Sequence, residues 1–228
     1  MRNARISRII EGTSEIMQLF IAREAMDTHV SRVMPIMMPK PGAKRTKGQA
    51  IVSALKFYAA WYPKTWMPAR SDFGTKHLSG ANVNHLKYIA DTSKRLARTM
   101  FHTMAKFGPK LEYEQLVLAS FVDIGTDLFA MSASLARAES VLAKNPGDED
   151  LQNLVDYFCW SARERIARNF AHVAKNHNRL LNKVSRAYAE GKFAWMDDAI
   201  YKGTPTHFED SAPARVTVDI PQDEQVPK

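Results

Sequence analysis

A carboxylate set behind two isoleucines is the sharpest chemical feature of the sequence. Glu11 follows Ile9 and Ile10 and precedes Gly12-Thr13-Ser14-Glu15-Ile16. An apolar wall raises the pKa of a neighbouring carboxylate and makes it a stronger base. Gly12 lets the backbone approach a ligand closely. Thr13 or Ser14 can cap the helix that follows, and its first backbone N–H groups then suit an anion. The plain alternative is an acid in the turn before a helix, stabilised by the helix dipole and doing no chemistry. The residues alone favour the plain reading, because most acids before a helix are only that.

Other chemistries find less support. The seven histidines are scattered. His172 and His177 are five apart, which does not place both on one helical face, and no Glu-x-x-His pair occurs, so no metal site is indicated. Cys159 lies among Tyr157, Phe158 and Trp160 and reads as a buried, inert thiol. Phosphate loops and nucleophile elbows are absent. Arg163, Arg165, Arg168 and Lys175 could form a basic stripe for nucleic acid. Glu164 interrupts it and no DNA-binding motif accompanies it, so a solvated helix face is preferred and no nucleic-acid partner is expected. The run "VMPIMMPKPGAKRTKG" places Val33, Met34, Ile36, Met37 and Met38 before Lys40, Lys44, Arg45 and Lys47. An apolar wedge beside a basic cluster suits peripheral contact with an anionic membrane surface. Methionines packed under a loop, with the lysines in water, are the alternative.

Composition bounds the class. Of 228 residues 45% are hydrophobic and 25% charged, as in a folded domain or a domain plus a smaller piece. A single cysteine excludes a disulfide framework within the chain and suits a reducing compartment, so a cytoplasmic location is expected, with peripheral contact at a membrane surface as its variant. Residues 1–12 carry three arginines and do not read as a signal peptide. No uncharged apolar run reaches the roughly 18 residues of a membrane span. The net charge of +8 is uneven: the tail from Thr204 to Lys228 is −3 and the remainder +11. A basic body suits nucleic acid, an anionic surface or a polyanionic small molecule.

The elements that would carry Glu11 are helical. Residues 14–34 read as a helix with a broad apolar face including Met17, Leu19, Ala22, Met26, Val30 and Val33, ended by Pro35. Thr46-Lys47-Gly48-Gln49 matches a capping box and predicts a helix over 47–61. Residues 62–80 read as a loop with anchoring aromatics. A helix over 82–107, with the stripe Leu86, Ile89, Ser93, Leu96, Met100, Met104 and Phe107, breaks at Gly108-Pro109. The next, 110–143, has a seam alternating by four and three: Val117, Phe121, Ile124, Leu128, Met131, Leu135, Ala138 and Leu142. Asp148, Glu149 and Asp150 favour the start of a last long helix, 149–190. From Lys192 periodicity is lost; "ARVTVDI" is the one strand candidate, in a tail read as extended or disordered. The fold class expected is all-α, an antiparallel helical bundle with an irregular acidic tail. Its divisions are 1–38, carrying the base motif and its helix; 39–80, a basic linker, short helix and loop; 81–191, a helical bundle; and 192–228, the tail.

The run "RNARISRIIEGTSEIMQLFIAREAM" closely resembles the C-terminal signature of the flavin-dependent acyl-CoA dehydrogenases, with Asn3 where that family usually has Asp. "EYEQLVLASFVDIGTDLFAMSASLARAESVLAK" is similar to the helical domain that follows this signature in very-long-chain members, through Glu114-Gln115, Asp123, Gly125 and Asp127-Leu128-Phe129-Ala130-Met131. The resemblance spans roughly residues 1–190 and implies a reaction. Glu11 would remove the α-proton of a fatty acyl-CoA thioester while the β-hydride passes to the flavin N5 of FAD. The product would be a trans-2-enoyl-CoA, with electrons leaving through an electron-transfer flavoprotein. Gly12 would lie against the thioester, and Thr13, Ser14 and Glu15 would touch the flavin nucleotide. Arg23 matches the family's helix arginine, its contact left open. A homo-oligomer is implied. The family's preceding helical and β domains have no counterpart here, so the expectation is a C-terminal fragment, inactive alone. The non-enzymatic alternative is a helical module that docks to a dehydrogenase partner or a membrane surface.

Overall fold

The seam from Val117 to Leu142 is buried at every member, none more than 5% exposed. In the computed structural model, which describes residues 13–38, 46–69 and 72–199, that seam belongs to the fourth of six α-helices. They are α1 Ser14–Met37, α2 Lys47–Lys64, α3 Gly80–Phe107, α4 Gln115–Leu142, α5 Glu149–Ala174 and α6 Asn178–Ala189. 3-10 turns cover Gly108–Tyr113 and Ala194–Ala199. The described residues contain no strand, and "ARVTVDI" lies outside them.

Polar ties give the register of the bundle. Asp127 of α4 meets Arg165 of α5, and seven residues back along α4 Ser120 meets His172, seven residues forward along α5. These helices are therefore antiparallel, as the short connection through Asn145-Pro146-Gly147 requires. Along α3 and α5 the pairs advance together, Asn82 with Gln152 and His85 with Asp156, so these two run parallel. Tyr62 meets His102 and Trp66 meets Arg98, which sets α2 antiparallel to α3.

Two buried clusters fill the interior. In one, Ile124, Leu128, Met131 and Leu135 of α4 interlock with Val155, Cys159, Ile166 and Phe170 of α5, flanked by Leu86, Ile89 and Leu96 of α3. In the other, Ala22 of α1 and Leu111 of the first 3-10 turn meet Val117, Leu118, Phe121 and Val122 at the start of α4. By length and composition α4 could cross a membrane. Its apolar seam is instead taken up by neighbouring helices, and Asp127 on it pairs with Arg165, as in the core helix of a bundle.

The helix limits depart from the sequence expectation in four places. First, Pro35 sits inside α1, which runs on to Met37 and closes with the Met38 N–H on the Met34 carbonyl. Second, Pro63 is likewise inside α2. One proline removes a single backbone donor, and the last turn tolerates that better than a helix centre does. Third, the helix expected from residue 110 starts at Gln115. Gly108, at φ 54°, ends α3, and the 3-10 turn after it delivers Leu111 into the second cluster. Fourth, the expected helix over 149–190 is broken after Ala174. The Asn176 side chain donates to the His172 carbonyl and accepts from the Asn178 N–H, so asparagine amides take over backbone bonds that would have continued the helix. The chain divides into two units after Asn178. In the second, the remainder of α6 carries Leu180, Leu181, Val184 and Tyr188 on one side and Arg179, Lys183 and Arg186 on the other.

Candidate functional site

The site begins at the N-terminus of α1. Thr13 is its N-cap, exposed and in an extended conformation, and its carbonyl accepts from the Met17 N–H. The Thr13 side chain makes no capping hydrogen bond, so it does not take the donors of the first turn for itself. Ser14 is half-buried and Glu15 exposed. Glu11 and Gly12 lie outside the described residues, as do Ile9 and Ile10.

Three contacts position α1. Leu19, Ala22 and Met26 pack on the second cluster. Gln18 donates to Asp123 of α4 at 2.7 Å. Further along, His29 stacks on Tyr58, 5.7 Å between centroids, and meets Trp61 edge-on at 4.8 Å, in a group that Phe57 and Phe101 complete. Burial and then the Arg32 charge hold the His29 pKa below its usual value. These ties leave the other sides of α1 uncovered: Ile16 is 61% and Phe20 57% exposed. Arg23 is exposed as well.

The acidic residues that carried the resemblance in α4 serve as ties. Asp123 holds α1 through Gln18. Asp127 receives both Nε and Nη2 of Arg165, at 3.0 and 2.7 Å, a forked pair that raises the arginine pKa. Arg163, Arg165, Arg168 and Lys175, weighed above as a basic stripe and set aside for a solvated face, do not stand as one exposed face. Arg165 is engaged in this pair, and Arg163 lies 4.2 Å from the ring centroids of both Tyr88 and Trp160. Cys159 is fully buried, and burial, with the nearby Asp156 charge, pushes its thiol up to about 11, so it is no nucleophile.

Sequence reasoning missed a polar seam at the end of the bundle where α3 and α5 begin. Glu139 accepts backbone N–H groups from Lys76, His77 and Leu78 at 2.8 to 3.2 Å, and the Lys76 N–H foremost holds its pKa below the usual carboxylate range. Gln152 accepts from Ser79 and Asn82 and donates to the His77 carbonyl. His85 Nε2 meets Asp156 at 2.8 Å, although His85 is 1% exposed. These partners are sixty or more positions apart, and local spacing carries no signal for them. The one available hint was a polar residue at core register in α3.

Residues 83–191 match the family described as ACAD9/ACADV, C-terminal domain. Over 201 residues, 88% of this chain, the sequence is 36% identical to the "Probable acyl-CoA dehydrogenase FadE10" of Mycobacterium tuberculosis and, equally, of Mycobacterium bovis. A "Probable acyl-CoA dehydrogenase" of Bacillus subtilis is 24% identical over 155 residues, 68% of this chain and 22% of the relative. The chain spans 31% of the length of the mycobacterial proteins. No solved structure matches it significantly. With the all-helical bundle and the match across most of its length, the chain belongs to the acyl-CoA dehydrogenase family, as a C-terminal region of such a protein.

Proposed function

We propose that this chain supplies the base-bearing C-terminal part of an FAD-dependent dehydrogenase that introduces a 2,3 double bond into a fatty acyl-CoA. The likeness to the mycobacterial probable acyl-CoA dehydrogenases over 88% of the chain carries this reading. Glu11 is the general base for the α-proton. That proton is only weakly acidic, so a carboxylate walled by Ile9 and Ile10 is the appropriate acceptor. Gly12 leaves room for the thioester. When bound, FAD would supply the acceptor for the β-hydride. Thr13, Ser14 and Glu15 fit a nucleotide phosphate at α1, because the Thr13 side chain leaves the first-turn donors uncapped by it. An electron-transfer flavoprotein as electron acceptor, a homo-oligomeric assembly and a cytoplasmic location complete the proposal.

The test is Glu11→Gln in the FAD-loaded enzyme. Flavin absorbance is retained and turnover falls about 10²–10⁴-fold, the usual size of a general-base contribution. Near-normal turnover overturns the assignment.

A second reading, a module that docks to a dehydrogenase partner or a membrane surface, has one observation in its favour. Met34, Met37 and Met38 stand in solvent at the end of α1, which disfavours methionines packed under a loop. Lys40, Lys44 and Arg45 lie outside the described residues. Co-sedimentation with anionic vesicles that is unchanged after neutralising these three residues and Lys47 removes the membrane form of this reading.

A further inference from the structure

Between α3 and α5 lies an open groove of about 470 Å³, within the range of small-molecule sites. Its charged lining is unevenly satisfied. Both carboxylates are engaged: Asp156 with His85 Nε2 at 2.8 Å, and Asp91 with the Ala69 N–H at 2.9 Å. Neither cation is. Among the described residues, no hydrogen bond or ion pair involves the side chain of Arg163 or of Lys87.

Arg163 is also held in place. Its guanidinium carbon lies 4.2 Å from the Tyr88 centroid and 4.2 Å from the Trp160 centroid, one ring from each helix. Cation–π contact occupies the faces of a guanidinium and leaves its in-plane N–H edge for an acceptor. Trp160 also meets the buried His85 ring, nearly perpendicular at 84° and 5.6 Å between centroids, yet remains 52% exposed. A fixed donor edge beside a fixed, half-open aromatic face is a two-part recognition surface.

The geometry points to a binding site for a small monocarboxylate with a flat apolar or aromatic body. The carboxylate meets the Arg163 edge as a coplanar fork, assisted by Lys87, and the body lies against Trp160. A planar carboxylate matches one guanidinium edge. A phosphate dianion fits less well, because Asp156 and Asp91 share the groove wall. This inference goes beyond the dehydrogenase reading and does not rest on it.

The test is an NMR titration of the 228-residue chain, labelled with 15N, at constant ionic strength. The expected result is saturable movement of the Trp160 indole N–H and the Arg163 Nε–H signals with benzoate. Benzamide, inorganic phosphate and N-acetyl-glutamate amide should each bind about tenfold more weakly, because each lacks the charge, the planar fork or the aromatic body. Arg163→Lys keeps the charge and removes the fork, and should weaken benzoate by a similar factor. The wild-type map decides alone if that variant melts early. The proposal is overturned if benzoate moves neither signal. It is equally overturned if phosphate, benzamide or the blocked glutamate binds as well as benzoate, or if a folded Arg163→Lys protein binds it unchanged.

Discussion

Helices α4 and α1 are both apolar, yet they use their apolar residues differently. Eight residues of α4, at alternating four- and three-residue intervals, are sealed by α5, α3 and the start of the bundle. On α1 Ala22 alone is buried, while Ile16, Met17, Phe20 and Ile21 are exposed. A helix that closes on its own domain can be read for stability. One that follows the proposed base motif in sequence and leaves large side chains uncovered is placed by a few contacts and keeps surface for something else to meet. In this chain, stability and proposed chemistry therefore reside in different helices.

The largest stability effect should come from the sealed helix. Leu135→Ala removes a side chain with no exposed surface and should cost about 2–5 kcal/mol, read from urea denaturation midpoints. A loss under 1 kcal/mol would mean that the seam is looser than its burial implies. On α1 the one buried residue should be sensitive to size. Ala22→Leu should cost about 1–3 kcal/mol by overpacking against Phe121 and its neighbours.

Glu139→Gln separates the sealed end of the bundle by pH. The folded Glu139 pKa lies below its ordinary value of 4.5, so its clamp on residues 76–78 contributes above that value and is lost as pH falls through the folded pKa. Wild type should therefore be more stable than the variant at pH 7, and the gap should narrow below pH 4.5. A gap independent of pH would remove the electrostatic account. The smallest effect is expected at the uncovered face. Phe20→Ser should change stability by less than about 0.5 kcal/mol, because Phe20 is already 57% in solvent. A large loss there would show that α1 is as sealed as α4, and the contrast would fail.

How far the sequence could be read follows the same division. The α4 seam was legible residue by residue, because burial at a fixed helical interval is a local pattern. The Thr46–Gln49 capping box was legible too, and both of its hydrogen bonds form, at 3.3 and 3.1 Å. The break after Ala174 was not, because it depends on how asparagine amides compete for backbone groups once His172 is fixed against Ser120. At the site, Thr13 was legible as a helix cap by position. That its side chain leaves the first turn uncapped was not, since a threonine there normally bonds it.

The sequence by itself determined the all-helical class, the packing face of α4 and the likeness of the Glu11 segment to a family signature. Each of these is written in neighbouring residues or in a helical period. Only the tertiary structure decided that Glu139 holds the backbone of residues 76–78, that His85 is buried against Asp156, and that Arg163 stands between Tyr88 and Trp160. Apart from Arg163 and Trp160, three residues apart on α5, those contacts join positions sixty or more apart, and whether a polar group finds its partner is settled only when the helices that carry both have packed.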